Sequence, residues 1–108
     1  DYLTDQPARV LAAEMVREQV LALVRAELPF TTAVVVDKFE EPEDEATPLA
    51  IYCSILVEAP SQKPIVIGRH GEMIKAIGTA ARAQLEDFFA RRVYLDLHVK
   101  VREDWREN

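Results

Sequence analysis

The residues best suited to chemistry are Gly68-Arg69-His70-Gly71 and the bases that follow at Lys75 and Arg82. Glycine takes backbone turns closed to other residues and lets a ligand approach the main chain closely. A helix that begins at such a loop aims its free N–H groups and the positive end of its dipole at the loop, which suits a phosphate. Arg69 inside the loop can add a charge-assisted bond to a phosphate oxygen. Beyond it, Gly71, Lys75, Gly78 and Arg82 step by four, three and four residues, which places them in one narrow stripe of a helix. Two bases separated by a glycine form a positive strip that a sugar-phosphate backbone can follow. At about 100° per residue the stripe lies roughly a third of a turn from the apolar face, where the edge of a groove would be. Ile65 and Ile67 offer an apolar surface for a base. His70 reads either as a further phosphate contact or as an exposed loop residue without a role.

Other chemistry finds little support. Ser54 and Ser61 have no His–acid pattern beside them, so nucleophilic catalysis is not indicated. Cys53 is the one cysteine and reads as a small buried hydrophobe; with only His70 and His98 beside it, no zinc site is expected. The single cysteine fits a reducing compartment. Three glycines in all leave neither a P-loop nor a dinucleotide fingerprint, which excludes a stand-alone NTPase or oxidoreductase. The acidic pairs Glu86-Asp87 and Glu103-Asp104 read as surface, and no catalytic residue is assigned.

A Gly-x-x-Gly loop also serves as a plain helical connector, so its setting decides. Thr4 or Asp5 can cap a first helix that tolerates Pro7 in its first turn. Ala13, Val16, Val20, Leu23, Val24 and Leu28 recur at steps of three and four, giving an amphipathic helix that ends near Pro29. Arg9, Glu14, Arg17, Glu18 and Arg25 read as its solvated face. Residues 31–39 (TTAVVVDKF) and 49–58 (LAIYCSILVE) read as strands, with the antiparallel hairpin the natural arrangement. The acidic, two-proline stretch between them, residues 40–48, is expected to be a mobile loop. Ser61 can cap a short helix over 62–67 with Pro64 in its first turn. A break at 68–71 precedes a long helix from Glu72 to about Ala90 that buries Met73, Ile74, Ile77, Ala81, Leu85 and Phe88, with Phe89 also in the core. Residues 93–102 (VYLDLHVKVR) alternate cleanly, with Val93, Leu95, Leu97, Val99 and Val101 toward the core and Tyr94 and His98 outward. Trp105 and Tyr94 read as aromatics that pin the C-terminus, with base stacking the alternative. The order α-β-β-α-α-β predicts an α+β fold in which three helices cover one face of a three-stranded mixed sheet.

The chain has 108 residues, enough for one domain spanning 1–108 and one core. Its 49% hydrophobic and 30% charged residues are a globular balance, and no stretch is apolar enough to span a membrane. The net charge of −6 disguises an uneven distribution: residues 1–60 carry −8, residues 61–108 carry +2, and residues 63–82 carry +3. Screening beyond about 8–10 Å leaves the local sign in control at a site. There is no initiator Met or signal peptide, and the opening at Asp1-Tyr2 reads as a cut from something longer.

The arrangement resembles a K-homology (KH) domain of the type II order. More narrowly, the whole chain is similar to the C-terminal KH domain of the Era family of bacterial Ras-like GTPases. The matching runs are Thr4-Asp5-Gln6-Pro7, Ala13-Glu14-x-Val16-Arg17-Glu18, Glu27-Leu28-Pro29, Val57-Glu58, Gln62-Lys63-x-Ile65-Val66-Ile67-Gly68, Met73-Ile74-Lys75-x-Ile77-Gly78, Ala81-Arg82 and Val99-Lys100-Val101 to Asp104-Trp105-Arg106. Two positions depart from the family pattern: Arg69-His70, where a basic residue followed by a small one is usual, and His98, where an aromatic is usual. The resemblance implies single-stranded RNA binding, with about four nucleotides held by the loop and by a groove between helix and sheet. Lys63, Ile67, Gly68, Arg69, His70, Gly71, Lys75 and Arg82 are the residues to which it assigns that role. It further implies the 3′ end of 16S ribosomal RNA and the small ribosomal subunit as partners, a cytoplasmic monomer, and a parent protein peripheral to the inner membrane. GTP and Mg are implied only for a GTPase domain preceding Asp1, and no cofactor for this chain. A KH-like module that docks a protein through its acidic first half is the alternative.

Overall fold

The computed structural model describes residues 2–24 and 32–102, with side chains from Gln6 onward. Helix α1 spans Tyr2–Leu23, strands β1 and β2 span Ala33–Glu40 and Leu49–Val57, helices α2 and α3 span Lys63–Ile67 and Glu72–Phe89, and strand β3 spans Val93–Val101. The fold is α+β, with sheet order β1-β2-β3. β1 and β2 are antiparallel, and β2 and β3 run parallel from Leu49↔Val93 to Val57↔Val101. A parallel pair needs a long crossover, and α2 and α3 supply it. β2 is central, which explains why residues 49–57 read as a nearly continuous apolar run.

Val16, Val20 and Val24 of α1, Ile77, Ala81 and Leu85 of α3 and Leu49, Ile51, Cys53, Ile55 and Val57 of β2 form the centre of the core. Phe88 lies outside it at 50% exposure, contrary to expectation. The buried residues of α3 step by fours, and each step turns the contact line by about 40°. By the last turn that line has reached Phe89, whose ring meets Phe39 edge-on at 6.0 Å. Phe88 is left on the trailing side.

Polar anchors complete the assembly. Arg9 and Arg17 are half-buried rather than solvated: Arg17 Nε donates to the Thr32 carbonyl at 2.8 Å and Arg9 Nη1 to that of Val36 at 3.3 Å. They tie α1 to the edge strand β1. At the bulge between Val36 and Lys38, the buried Ser54 hydroxyl donates to Asp37 Oδ2 at 2.5 Å.

Four further expectations change. α1 already runs at Tyr2, so Pro7 lies well inside it. Ser61 falls within a 3-10 turn, and the cap there is the side-chain carbonyl of Gln62, which accepts from Glu58 and Ala59 N–H at 2.8 and 3.1 Å. The acidic loop is fastened: Arg91 Nη2 donates to the carbonyls of Thr47 (2.8 Å) and Asp44 (3.4 Å), and Arg92 Nη2 to that of Ala46 (3.0 Å). α1 ends at Leu23, short of the end expected near Pro29, and Arg25, Leu28, Pro29, the capping side chains Thr4 and Asp5, Glu103-Asp104 and Trp105 lie outside the described residues.

Candidate nucleic-acid interface

The loop between α2 and α3 is built on positive φ angles. Gly68 (φ 79°) and Gly71 (φ 75°) hold two of them, and His70 (φ 56°) holds a third. Gly68 N–H bonds to the Pro64 carbonyl at 2.8 Å, ending α2, and Gly71 N–H returns to the Gly68 carbonyl at 3.1 Å. A Cβ on Gly68 would lie 2.5 Å from Met73 Cβ and 2.7 Å from Met73 N, so no other residue fits without movement. At Gly71 a Cβ would meet nothing within 4 Å, and that glycine serves its backbone angle alone. At position 70 the same kind of angle suits glycine better than histidine.

Past the loop, α3 and the free edge of β3 enclose a groove of about 370 Å³. Ile74, Lys75, Gly78, Thr79 and Arg82 form its helical wall, and Val93, Tyr94, Leu95 and Leu97 its strand wall. A Cβ at Gly78 would meet Leu97 Cδ1 at 3.7 Å, an ordinary van der Waals contact, so the packing of the two walls does not itself require glycine there. The groove is apolar along the strand and basic along the helix. Among the described residues no carboxylate pairs with Lys63, Arg69, Lys75 or Arg82, whereas Lys38, Arg91 and Arg102 have acidic partners.

The structure thus brings Lys75, Gly78 and Arg82 together on α3, with the Gly68–Gly71 loop ending about one turn before Lys75. Arg69 and His70 are exposed at the loop, and Ile65 and Ile67 are half-buried in α2, outside the groove wall. Lys63 stands exposed at the start of α2 and does not line the groove. The strand wall escaped the sequence reading. Leu95 and Leu97 alternate as core residues, yet they are only half-buried because β3 is an edge strand. Tyr94 is 51% exposed and meets Tyr52 edge-on at 5.8 Å; the C-terminal residues it is expected to pin lie outside the described residues. His98 is exposed as expected, with Nε2 2.9 Å from Asp96 Oδ2. Glu86, read as surface, accepts the Val93 N–H at 2.9 Å and fixes the start of β3.

Comparison with known proteins agrees with this architecture. Residues 27–106 match the model of the KH domain family. GTPase Era of Syntrophus aciditrophicus is 51% identical over 109 residues, covering 100% of this chain and 35% of that protein. GTPase Era of Thermotoga maritima is 49% identical over 107 residues, covering 99% and 35%. The chain therefore spans about a third of the length of these relatives, and the match falls on their C-terminal part. Among solved structures, Aquifex aeolicus Era bound to GDP·AlF4− superposes with a TM-score of 0.82 at 42% identity, covering 94% of this chain and 34% of that one. Era in complex with MgGDPNP and nucleotides 1506–1542 of 16S ribosomal RNA gives 0.82 at 43% identity, covering 96% and 34%. With its α-β-β-α-α-β order, its Gly-x-x-Gly turn and its sequence in agreement, the chain belongs to the KH domain family and corresponds to the C-terminal KH part of the Era GTPases.

Proposed function

We propose that the chain binds single-stranded RNA along the groove between α3 and β3, with the Gly68–Gly71 loop holding the backbone. The observation that carries the reading is the asymmetry of the groove. Lys75 and Arg82 stand on one wall for phosphates, and Leu95 and Leu97 on the other for bases. Arg69 and His70 reach the backbone from the loop, Ile67 supports it from α2, and Lys63 contributes charge at longer range. The proposed target is the 3′ end of 16S ribosomal RNA, on the strength of the complex formed by the similar Era. The chain itself has no catalytic role; in a longer protein, a GTPase domain would precede it.

Fluorescence anisotropy of a labelled 3′-terminal 16S oligomer at low salt tests this. The native oligomer should bind in preference to a scrambled one, and an Arg69→Asp/His70→Asp variant should lose the binding. Equal binding by both proteins would move the RNA surface away from the loop. No binding by either would favour protein docking through the acidic first half.

A further inference from the structure

The sheet has two edges, and they are finished differently. β3 lies open beside the groove, whereas β1 is reached by side chains of α1. An edge strand presents unpaired N–H and C=O groups on which a further strand can build. The first half of β1 is well suited to that. Residues 32–36 (TAVVV) are uncharged, β-branched apart from Ala33, and free of proline and glycine, a composition that favours pairing between molecules. Beside them runs a shallow cleft of about 310 Å³ lined by Val10, Ala13, Val34 and Val36, with Val10 53% exposed. Within this stretch, Arg17 takes the carbonyl of Thr32 and Arg9 that of Val36, two residues of the same strand parity. The spans match, because eight residues of helix rise about 12 Å and four of strand about 13 Å. Past Val36 the bulge and the charged residues Asp37, Lys38 and Glu40 interrupt the strand's pairing surface.

We propose that Arg9 and Arg17 guard this edge: by occupying the Thr32 and Val36 carbonyls they keep a second copy of the chain from adding its own β1 there. The partner excluded is a second copy because the segment is self-complementary. An antiparallel β1–β1 pair centred on Val34 sets uncharged residues opposite one another about a two-fold axis. Val34, midway between the two held carbonyls and of the same parity, supplies the central N–H and C=O of that pair. The guard leaves β3 as the open edge of the sheet. It is independent of what the groove binds.

Sedimentation equilibrium from micromolar to near-millimolar protein tests the guard. The wild type should keep the mass of a monomer throughout. Arg9→Met/Arg17→Met retains apolar stems that pack like those of arginine but removes both donors, and its average mass should climb toward twofold with concentration. A two-fold pair closes on itself, so the mass should climb no further. Amide exchange locates the contact: exchange at Val34 should slow about tenfold or more as the variant associates. Because Arg17 also anchors α1, Arg9→Met alone is the second variant. It frees the Val36 carbonyl, keeps the Arg17 bond, and should associate at higher concentration than the double variant. A folded double variant that stays monomeric, association that leaves Val34 exchange unchanged, growth beyond the dimer, or a wild type that associates as readily would each overturn the inference. Should the double variant fail to fold, an Arg9→Met variant that is monomeric at every concentration would overturn it.

Discussion

Gly68 is where backbone conformation, packing and the proposed site meet. Its φ of 79° with ψ 173° lies in a region essentially reserved for glycine and would cost an L-residue about 1–3 kcal/mol, and the added Cβ would collide with Met73. Gly68→Ala should therefore lower stability by about 2 kcal/mol or more, read as a fall of roughly 10 °C in Tm. Two residues on, His70 holds φ 56° without a comparable conflict. His70→Gly should raise stability by about 0.5–1 kcal/mol in a denaturant titration, because glycine takes this angle at no steric cost. Cys53 shows the opposite kind of constraint, set by burial. Desolvation pushes its thiol up to about 12 from 9.0, with Asp37 and Asp96 adding in the same direction. Folding thus favours the neutral thiol. That contribution is whole below about pH 9, where the unfolded thiol is also protonated, and is lost as pH rises toward 12. Comparing urea stability at pH 8 and 10.5 for the wild type and Cys53→Ala should show the steeper decline in the wild type.

At the scale of elements, the periodic parts of the sequence were the legible parts. The alternation of residues 93–101 and the three-and-four steps of α1 and α3 report burial directly, and both strands of the hairpin follow from their β-branched runs. What escaped is long-range and polar. Nothing local distinguishes Arg17, bonded to the Thr32 carbonyl, from an arginine on a solvated helix face. Nor does the composition of residues 40–48 reveal that Arg91 and Arg92, more than forty positions away, hold the carbonyls of that loop. The stripe Gly71, Lys75, Gly78 and Arg82 was readable because a helix repeats. Its opposite wall was not, because only the sheet order makes β3 an edge. The loop fastening has a measurable consequence. Arg91→Ala leaves the Thr47 and Asp44 carbonyls without that donor and should cost about 1–2 kcal/mol. Amide exchange should accelerate across residues 44–49 while α3 stays protected.

For the whole molecule, the uneven charge is the property that bears on function. A net charge of −6 is compatible with RNA binding because the acids concentrate in residues 1–60, while among the described residues no carboxylate pairs with the bases of the groove wall and loop. Affinity should then fall with salt at a log–log slope of about −0.7 for each phosphate neutralised. Lys75→Glu/Arg82→Glu should flatten that slope as well as weaken binding. A charge reversal in the acidic loop, Glu43→Lys, should leave the slope nearly unchanged.

Amide chemical-shift mapping with the 3′-terminal 16S oligomer would show where RNA lies on the chain. Perturbations are expected along Gly68–Lys75, at Gly78 and Arg82, and on the facing strand from Tyr94 to Leu97. Shifts confined to α1 and the acidic loop, with that groove silent, would contradict this placement.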